Sequence, residues 1–95
     1  MSNTILKADD AAQFLKLIAN TNRLLILYHL RIDGEANVGQ LEQHLGVSQP
    51  ALSQHLARMR QEGVLTTRRR GQQIFYSIQD KRIDTLLPLL NTLFS

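Results

Sequence analysis

The chain has 95 residues, of which 43% are hydrophobic and 20% charged, with a formal net charge of +3 at pH 7. A chain of this length can bury one modest core, so we expect residues 1–95 to form a single domain that gains from pairing with a second copy. It has no cysteine, which excludes a disulfide framework, a thiolate metal site or a thiol switch built from this chain. No basic leader precedes an apolar core, and no apolar run approaches the ~20 residues that span a bilayer, so we expect a cytoplasmic protein with no membrane partner.

The first half of the chain predicts three helices. Two aspartates at positions 9 and 10 favour the N-terminus of the first, whose apolar residues recur at helical spacing up to Ile18. Residues 23–32 are apolar nearly all round, which is typical of a helix enclosed on most sides. A short third helix over residues 38–45 ends at Gly46, where a tight turn leads into the next helix.

The fourth predicted helix has one apolar and one polar side. Ser48 is a favourable N-cap, Pro50 fits the first turn, and Leu52, Leu56 and Met59 share a stripe that faces the core. At 100° per residue, the opposite side carries small or hydrogen-bonding side chains and no carboxylate: Pro50, Ser53, Gln54, Ala57, Arg58 and Gln61. An ordinary solvated face is the alternative, but such a face usually carries Glu and Lys.

A basic hairpin follows this helix. Residues 64–67 and 74–78 predict two strands, joined by a turn through Arg70-Gly71-Gln72. Within residues 47–79, five arginines face Glu62 alone, a balance of +4, whereas the rest of the chain carries −1. This asymmetry favours an anionic partner on one face.

Two short helices joined by a glycine-containing turn and followed by a hairpin predict a winged helix-turn-helix, mainly α with a small β-hairpin, in the order ααααββα. A major groove admits one helix, in which Gln can pair bidentately with adenine and Arg with guanine. The arginines of the hairpin tip would contact phosphates or enter the minor groove. We therefore expect double-stranded DNA to bind at Ser48, Gln49, Pro50, Ser53, Gln54, Arg58, Arg68, Arg69, Arg70 and Gln72.

Several segments, in this order, resemble the ArsR/SmtB family of bacterial transcriptional repressors: residues 22–27, 41–47, 48–56, 62–65 and 73–78. The chain is most similar to the branch that includes the biofilm and sulfide-responsive repressors and the nodulation repressor. The resemblance covers residues 10–94 and implies a homodimer, paired through its first and last helices, that blocks a promoter at an inverted repeat. The dimer contacts it implies fall on Phe14, Leu17, Leu86, Leu90 and Leu93.

The chain departs from this family at the positions that sense metals and thiols. Asn37 stands where metal-sensing members have a cysteine, and Arg82 and Leu93 replace the histidines that would complete a zinc site with Asp80. The two thiols of the redox-sensing branch would fall at Tyr28 and about Ser95. We therefore expect no metal, no cofactor and no thiol switch, and we assign no small-molecule effector.

Other functions stay open. An anti-repressor that activates by displacing a silencing protein needs the same groove chemistry, and a ligand- or protein-binding module that has lost DNA binding could share the fold. Three histidines, His29, His44 and His55, are dispersed over three predicted helices, and none has a carboxylate or cysteine at ligand spacing. An enzyme is not expected, because no nucleophile, base and orienting group are suitably spaced and no glycine loop could hold a phosphate.

Overall fold

The computed structural model describes residues 6–95, which form five helices and one hairpin in the order α1, α2, α3, α4, β1, β2, α5. The elements span, in chain order, Ala8–Ile18, Thr21–Asp33, Val38–Leu45, Gln49–Gln61, Leu65–Arg70, Gln73–Ile78 and Lys81–Phe94. This order confirms the predicted winged helix-turn-helix. None of the described helices is long and apolar enough to cross a membrane.

One apolar core joins these elements. The predicted inner stripe of α4, Leu52, Leu56 and Met59, is fully buried. The other buried apolar residues come from the remaining helices, from β1 and from the segments beside them: Ile18, Ile26, Leu27, Leu30, Ala36, Leu41, Val64, Leu65, Ile83 and Leu87. Because a close-packed interior resists displacement, this core fixes α4 relative to the hairpin.

Helix α2 begins earlier than the sequence predicted. The backbone of Asn20 is extended, and its side-chain oxygen accepts a hydrogen bond from the backbone N–H of Arg23 at 3.1 Å, so Asn20 caps the helix. The prediction that this helix is enclosed on most sides is wrong for the chain by itself, because Leu25 is 42% exposed and Ile32 76% exposed. These two residues are seven apart, which places them on one outer face of the helix.

The turn between α3 and α4 matches the prediction. Asn37 and Gln40 form a capping box at the start of α3, with bonds of 2.8 and 2.9 Å between each side chain and the other's backbone N–H. Gly46 ends α3 in the left-handed conformation, at φ 65°, which a glycine adopts without steric cost. Ser48 then caps α4 as predicted.

The hairpin is longer than predicted. Strands β1 and β2 are antiparallel, and their pairing continues to Arg70 opposite Gln73, which leaves only Gly71 and Gln72 as the turn. The strand predicted over residues 64–67 is present, but it begins at Leu65 and continues through all three arginines to Arg70. Of the predicted turn through Arg70-Gly71-Gln72, only Gly71 and Gln72 remain outside the strands. A two-residue turn extends the ladder, and alternation of side chains between the two faces of a strand separates adjacent like charges.

Ala36 attaches the loop before α3 to the hairpin. Its backbone exchanges two hydrogen bonds with Tyr76 of β2, at 3.0 and 2.8 Å. The loop thus forms a single β-bridge with β2, on the side of β2 away from β1. This contact brings Glu35 and Asn37 beside the two strands.

Candidate nucleic-acid interface

The outer face of α4 is exposed and polar. Each predicted residue on it is accessible to solvent, and no carboxylate lies among them: Ser48, Gln49, Pro50, Ser53, Gln54, Ala57, Arg58 and Gln61. The buried stripe on the opposite side holds this face outward. Amide, hydroxyl and guanidinium groups presented by one exposed helix are suited to hydrogen-bond with base edges.

The N-terminus of α4 adds a positive end to this face. The Ser48 hydroxyl oxygen accepts a hydrogen bond from the backbone N–H of Ala51 at 3.4 Å. Pro50 has no backbone N–H, so Gln49 supplies the free N–H of the first turn, and the helix dipole is positive at this end. Such an end favours a phosphate.

Arg23 of α2 ties α4 to the end of α1. Its Nε donates to Nδ1 of His55 at 3.0 Å, and its Nη1 donates to the backbone oxygen of Leu17 at 2.7 Å. An Nδ1 that accepts a hydrogen bond carries no proton, so the neutral His55 ring is protonated at Nε2. Burial of the ring and then the charge of Arg23 lower the pKa of His55, which keeps it neutral.

The hairpin of β1 and β2 is the wing of this fold, and its residue Arg68 is held by a carboxylate of the same chain. Its Nε and Nη2 donate to the two carboxylate oxygens of Glu35, at 2.7 and 2.5 Å. Its guanidinium also lies 5.3 Å from the ring centroid of Phe75, its partner on β2. These hydrogen bonds, with the Arg68 charge, lower the pKa of Glu35. Arg68 therefore fastens the wing to the loop before α3.

The remaining polar groups of the wing are exposed. Arg69 and Arg70 lie at the outer end of β1, and Gln72 lies in the turn. Because side chains alternate along a strand, Arg69 occupies the face of the hairpin opposite Arg68. All three predicted arginines are exposed, but within residues 6–95 Arg68 is paired with a carboxylate whereas Arg69 and Arg70 form no ion pair.

Comparison with known proteins identifies the family. Residues 20–67 match the family described as bacterial regulatory protein, arsR family. The chain is 39% identical over 88 residues to the biofilm growth-associated repressor of Xylella fastidiosa, covering 93% of this chain and 76% of that protein. It is 42% identical over 84 residues to the transcriptional activator HlyU of Vibrio cholerae, covering 88% of this chain and 77% of that protein. The chain belongs to the ArsR family.

A solved structure agrees with this assignment. The transcriptional repressor BigR from Xylella fastidiosa is 38% identical and superposes with a TM-score of 0.86, covering 94% of this chain and 90% of that one. The predicted resemblance to the branch of the biofilm repressor is confirmed. This ArsR-family chain is a DNA-binding transcriptional regulator with a winged helix-turn-helix fold.

In this ArsR-family chain, the positions expected for metal ligands have structural roles. The Asn37 side chain caps α3 and donates to the side-chain oxygen of Gln73 at 3.1 Å. Asp80 caps α5 and accepts charge-assisted hydrogen bonds from Arg82, including one of 2.6 Å, which lower the pKa of Asp80. Within residues 6–95, no cluster of three His, Cys, Asp or Glu side chains could hold a metal ion.

Tyr28, at one of the expected thiol positions, also forms a structural contact. Its hydroxyl donates to the backbone oxygen of Leu87 at 2.8 Å and thereby links α2 to α5. The other expected position, Ser95, follows the end of α5.

The three histidines lie on three different helices, as predicted, but two of them meet in the folded chain. His29 of α2 and His44 of α3 stack, with ring centroids 5.0 Å apart and an interplanar angle of 23°. Helix packing brings together two residues that lie fifteen positions apart in the chain. His55 is the third, and it is held by Arg23.

The predicted dimer residues fall into two groups. Phe14, Leu17, Leu86 and Leu90 are partly buried against the core of their own chain, and the Arg82 guanidinium lies 4.1 Å from the Phe14 ring centroid. Leu93 is 63% exposed. Other exposed apolar side chains on α1, α2 and α5, outside the predicted dimer residues, are Leu15, Leu25, Ile32, Leu89 and Phe94.

Sequence reasoning missed the partners of the interface residues. It gave no role to Glu35, which holds Arg68, or to Arg23, which holds His55. Each pair is more than 30 positions apart, so no local spacing could have indicated it.

Proposed function

We propose that this protein represses transcription by binding an inverted repeat in a promoter as a homodimer, with residues 1–95 acting as one winged-helix domain. The exposed face of α4 carries the proposal: it presents Gln54 and Arg58 directly away from the buried Leu56, without a carboxylate on that face. We assign the base contacts in the major groove to Gln49, Ser53 and Gln54, and a contact with the DNA backbone on the flank of the helix to Arg58. At the helix N-terminus we assign the phosphate contact to Ser48, and Pro50, which has no backbone N–H, packs against the DNA backbone through its ring. DNA is a cytoplasmic partner in bacteria, which supports the expected cytoplasmic location.

In this proposal, the wing contacts DNA through its accessible end. Arg69, Arg70 and Gln72 bind the phosphate backbone or the edge of the minor groove. Arg68 supports them indirectly, because its carboxylate partner Glu35 neutralises its charge and fastens β1 to the loop before α3. This division refines the sequence-based assignment of all three arginines to DNA.

The homodimer forms through α1 and α5. Exposed leucines on both helices, including Leu15 at 52% and Leu89 at 53%, and the end of α5, where Phe94 is 81% exposed, leave apolar surface that a second copy would bury. Leu93 belongs to the same surface. Phe14, Leu17, Leu86 and Leu90 lie beneath it and support it from their own core.

A second candidate function is activation by displacing a silencing protein from the same DNA. The relative that favours it is HlyU of Vibrio cholerae, which is named a transcriptional activator. Both functions need the same groove chemistry. The direction of the response in a promoter reporter distinguishes them, because deletion of a repressor raises expression whereas deletion of an anti-repressor lowers it.

Selection from a random duplex library tests the proposal. The selected sequences should contain two half-sites related by a two-fold axis, with centres about 10 bp or a multiple of one helical turn apart. Sedimentation of the protein with one selected duplex should give two chains per duplex. Selected sequences that share no motif would contradict sequence-specific binding, and one chain per duplex would contradict the dimer.

A further inference from the structure

We propose that Lys16, Arg23 and Arg58 form a second phosphate-binding surface, which contacts the DNA strand on the side of α4 away from the wing. This inference rests on the proposed function, since it requires α4 to lie in the major groove. Sequence analysis placed the positive charge on residues 47–79, whereas this surface draws two of its three cations from α1 and α2.

A groove between α1, α2 and α4 brings these cations together. It has a volume of about 540 Å³ and is lined by Gln13, Lys16, Leu17, Arg23, Arg58 and Glu62. Three cations therefore face one carboxylate. A concave surface with this balance attracts an anion, and a phosphate is the anion that DNA presents beside a helix in its major groove.

The position of the groove on α4 determines which DNA strand it meets. Ala57, Arg60 and Gln61 lie on the flank of α4 that faces Tyr76 of the hairpin. Arg58 and Glu62 lie on the other flank, toward α1. The major groove is about 12 Å wide and is bounded by two phosphate strands, so a helix within it has one strand along each flank. In this arrangement the wing contacts one DNA strand, and Lys16, Arg23 and Arg58 contact the other.

The Arg23 side chain is held in place before DNA arrives. Its bonds to Leu17 and His55 use two of the five N–H donors of the guanidinium and fix its plane. Because the side chain is already ordered, its remaining N–H donors can bind a phosphate without a further loss of conformational entropy. The bond to His55 also couples the contact to α4 itself.

The side chains of Arg58 and Lys16 are available to bind a phosphate. The Arg58 guanidinium lies 3.8 Å from the Glu62 carboxylate, and both side chains are about half exposed, which makes this ion pair a weak one that a phosphate can replace. Lys16 forms no ion pair within residues 6–95. It lies in the last turn of α1 and lines the same groove.

Lys16→Gln tests the inference with little risk to the fold, because the Lys16 side chain is exposed and is not one of the buried core residues. Lys7→Gln is the matched control: it removes the same charge from the opposite end of α1, about 14 Å along the helix axis. The affinity of both variants and of the unmodified protein is measured on a selected duplex and on a random duplex over a range of salt concentrations.

Lys16→Gln should weaken binding to both duplexes by the same factor and reduce the slope of log affinity against log salt by about 0.9 per lost contact in each subunit. Lys7→Gln should leave the slope unchanged. Equal slopes for the two variants would overturn the inference, and they would leave the proposed function standing if the selected duplex were still preferred over the random one. Saturable binding of inorganic phosphate that is lost in Lys16→Gln, together with an unchanged salt slope for DNA, would also overturn it, because the groove would then serve a free anion.

Discussion

The Nε atom of Arg23 lies 3.0 Å from Nδ1 of His55 and donates a hydrogen bond to it, which links the start of α2 to the middle of α4. Protonation of His55 at Nδ1 would remove the acceptor and place two cations in contact. Burial of the imidazole, followed by the charge of Arg23, holds the pKa of His55 below its ordinary value of 6.5.

This contact predicts a loss of stability at mildly acidic pH. Because the pKa of His55 is lower in the folded chain, the unfolded chain binds its proton first as the pH falls. The contribution of His55 to the free energy of unfolding is therefore full above pH 6.5 and declines as the pH falls from there toward the lowered pKa. Denaturant unfolding at a series of pH values should show a shallower decline in His55→Gln, whose amide oxygen can still accept from Arg23. Parallel curves for the two proteins would contradict the prediction.

Gln54 and Leu56 are two residues apart on α4 and should respond in opposite ways. Gln54→Ala should leave thermal stability unchanged and weaken binding to the selected duplex by about 1–3 kcal/mol, the range of a bidentate base contact. Leu56→Ala should lower the free energy of unfolding by about 2–5 kcal/mol, because Leu56 is fully buried and its loss leaves a cavity. Thermal melts and DNA titrations of both variants check the pair. Unchanged affinity in Gln54→Ala would remove Gln54 from the base-reading set.

The three arginines of β1 should differ in their effect on DNA binding. Arg69→Gln and Arg70→Gln should each reduce the salt dependence of binding by up to about 0.9 per subunit, because each removes an accessible cation. Arg68→Gln should reduce it less, since the Arg68 charge is already neutralised by Glu35. Glu35→Gln provides the control: release of Arg68 should raise affinity for random duplex DNA. An equal loss in all three arginine variants would show that Arg68 leaves Glu35 to reach the DNA.

Metal and redox conditions should not alter DNA binding. The Asp80 carboxylate is engaged by Arg82, Asn37 caps a helix, and the chain has no cysteine. Operator affinity measured with zinc, with a chelator, with an oxidant and with a reductant should therefore be the same. A tenfold change with micromolar zinc would correspond to a coupling of about 1.4 kcal/mol and would contradict the prediction. The stacked pair of His29 and His44 would then be the first residues to replace.

Local rules in the sequence determined the elements and their order. Helical spacing placed Leu52, Leu56 and Met59 on the buried side of α4, and local caps and turn glycines located the starts and ends of helices, as at Ser48 and Gly46. These signals act between residues a few positions apart, so they can be read along the chain. The order of the family-like segments along the chain also indicated the ArsR family.

Contacts between distant residues depended on the tertiary structure. In the observed register of the hairpin, Arg68 lies within β1, and the hydrogen bonds of Ala36 with Tyr76 place Glu35 beside it. The charge of Arg68, one of the predicted DNA contacts, is therefore neutralised within the chain. The packing of α2 against its neighbours set Arg23 on His55. Composition and periodicity record which face of an element is apolar, but they do not record which charged residue of another element it meets. That choice depends on how the core fixes the elements in space.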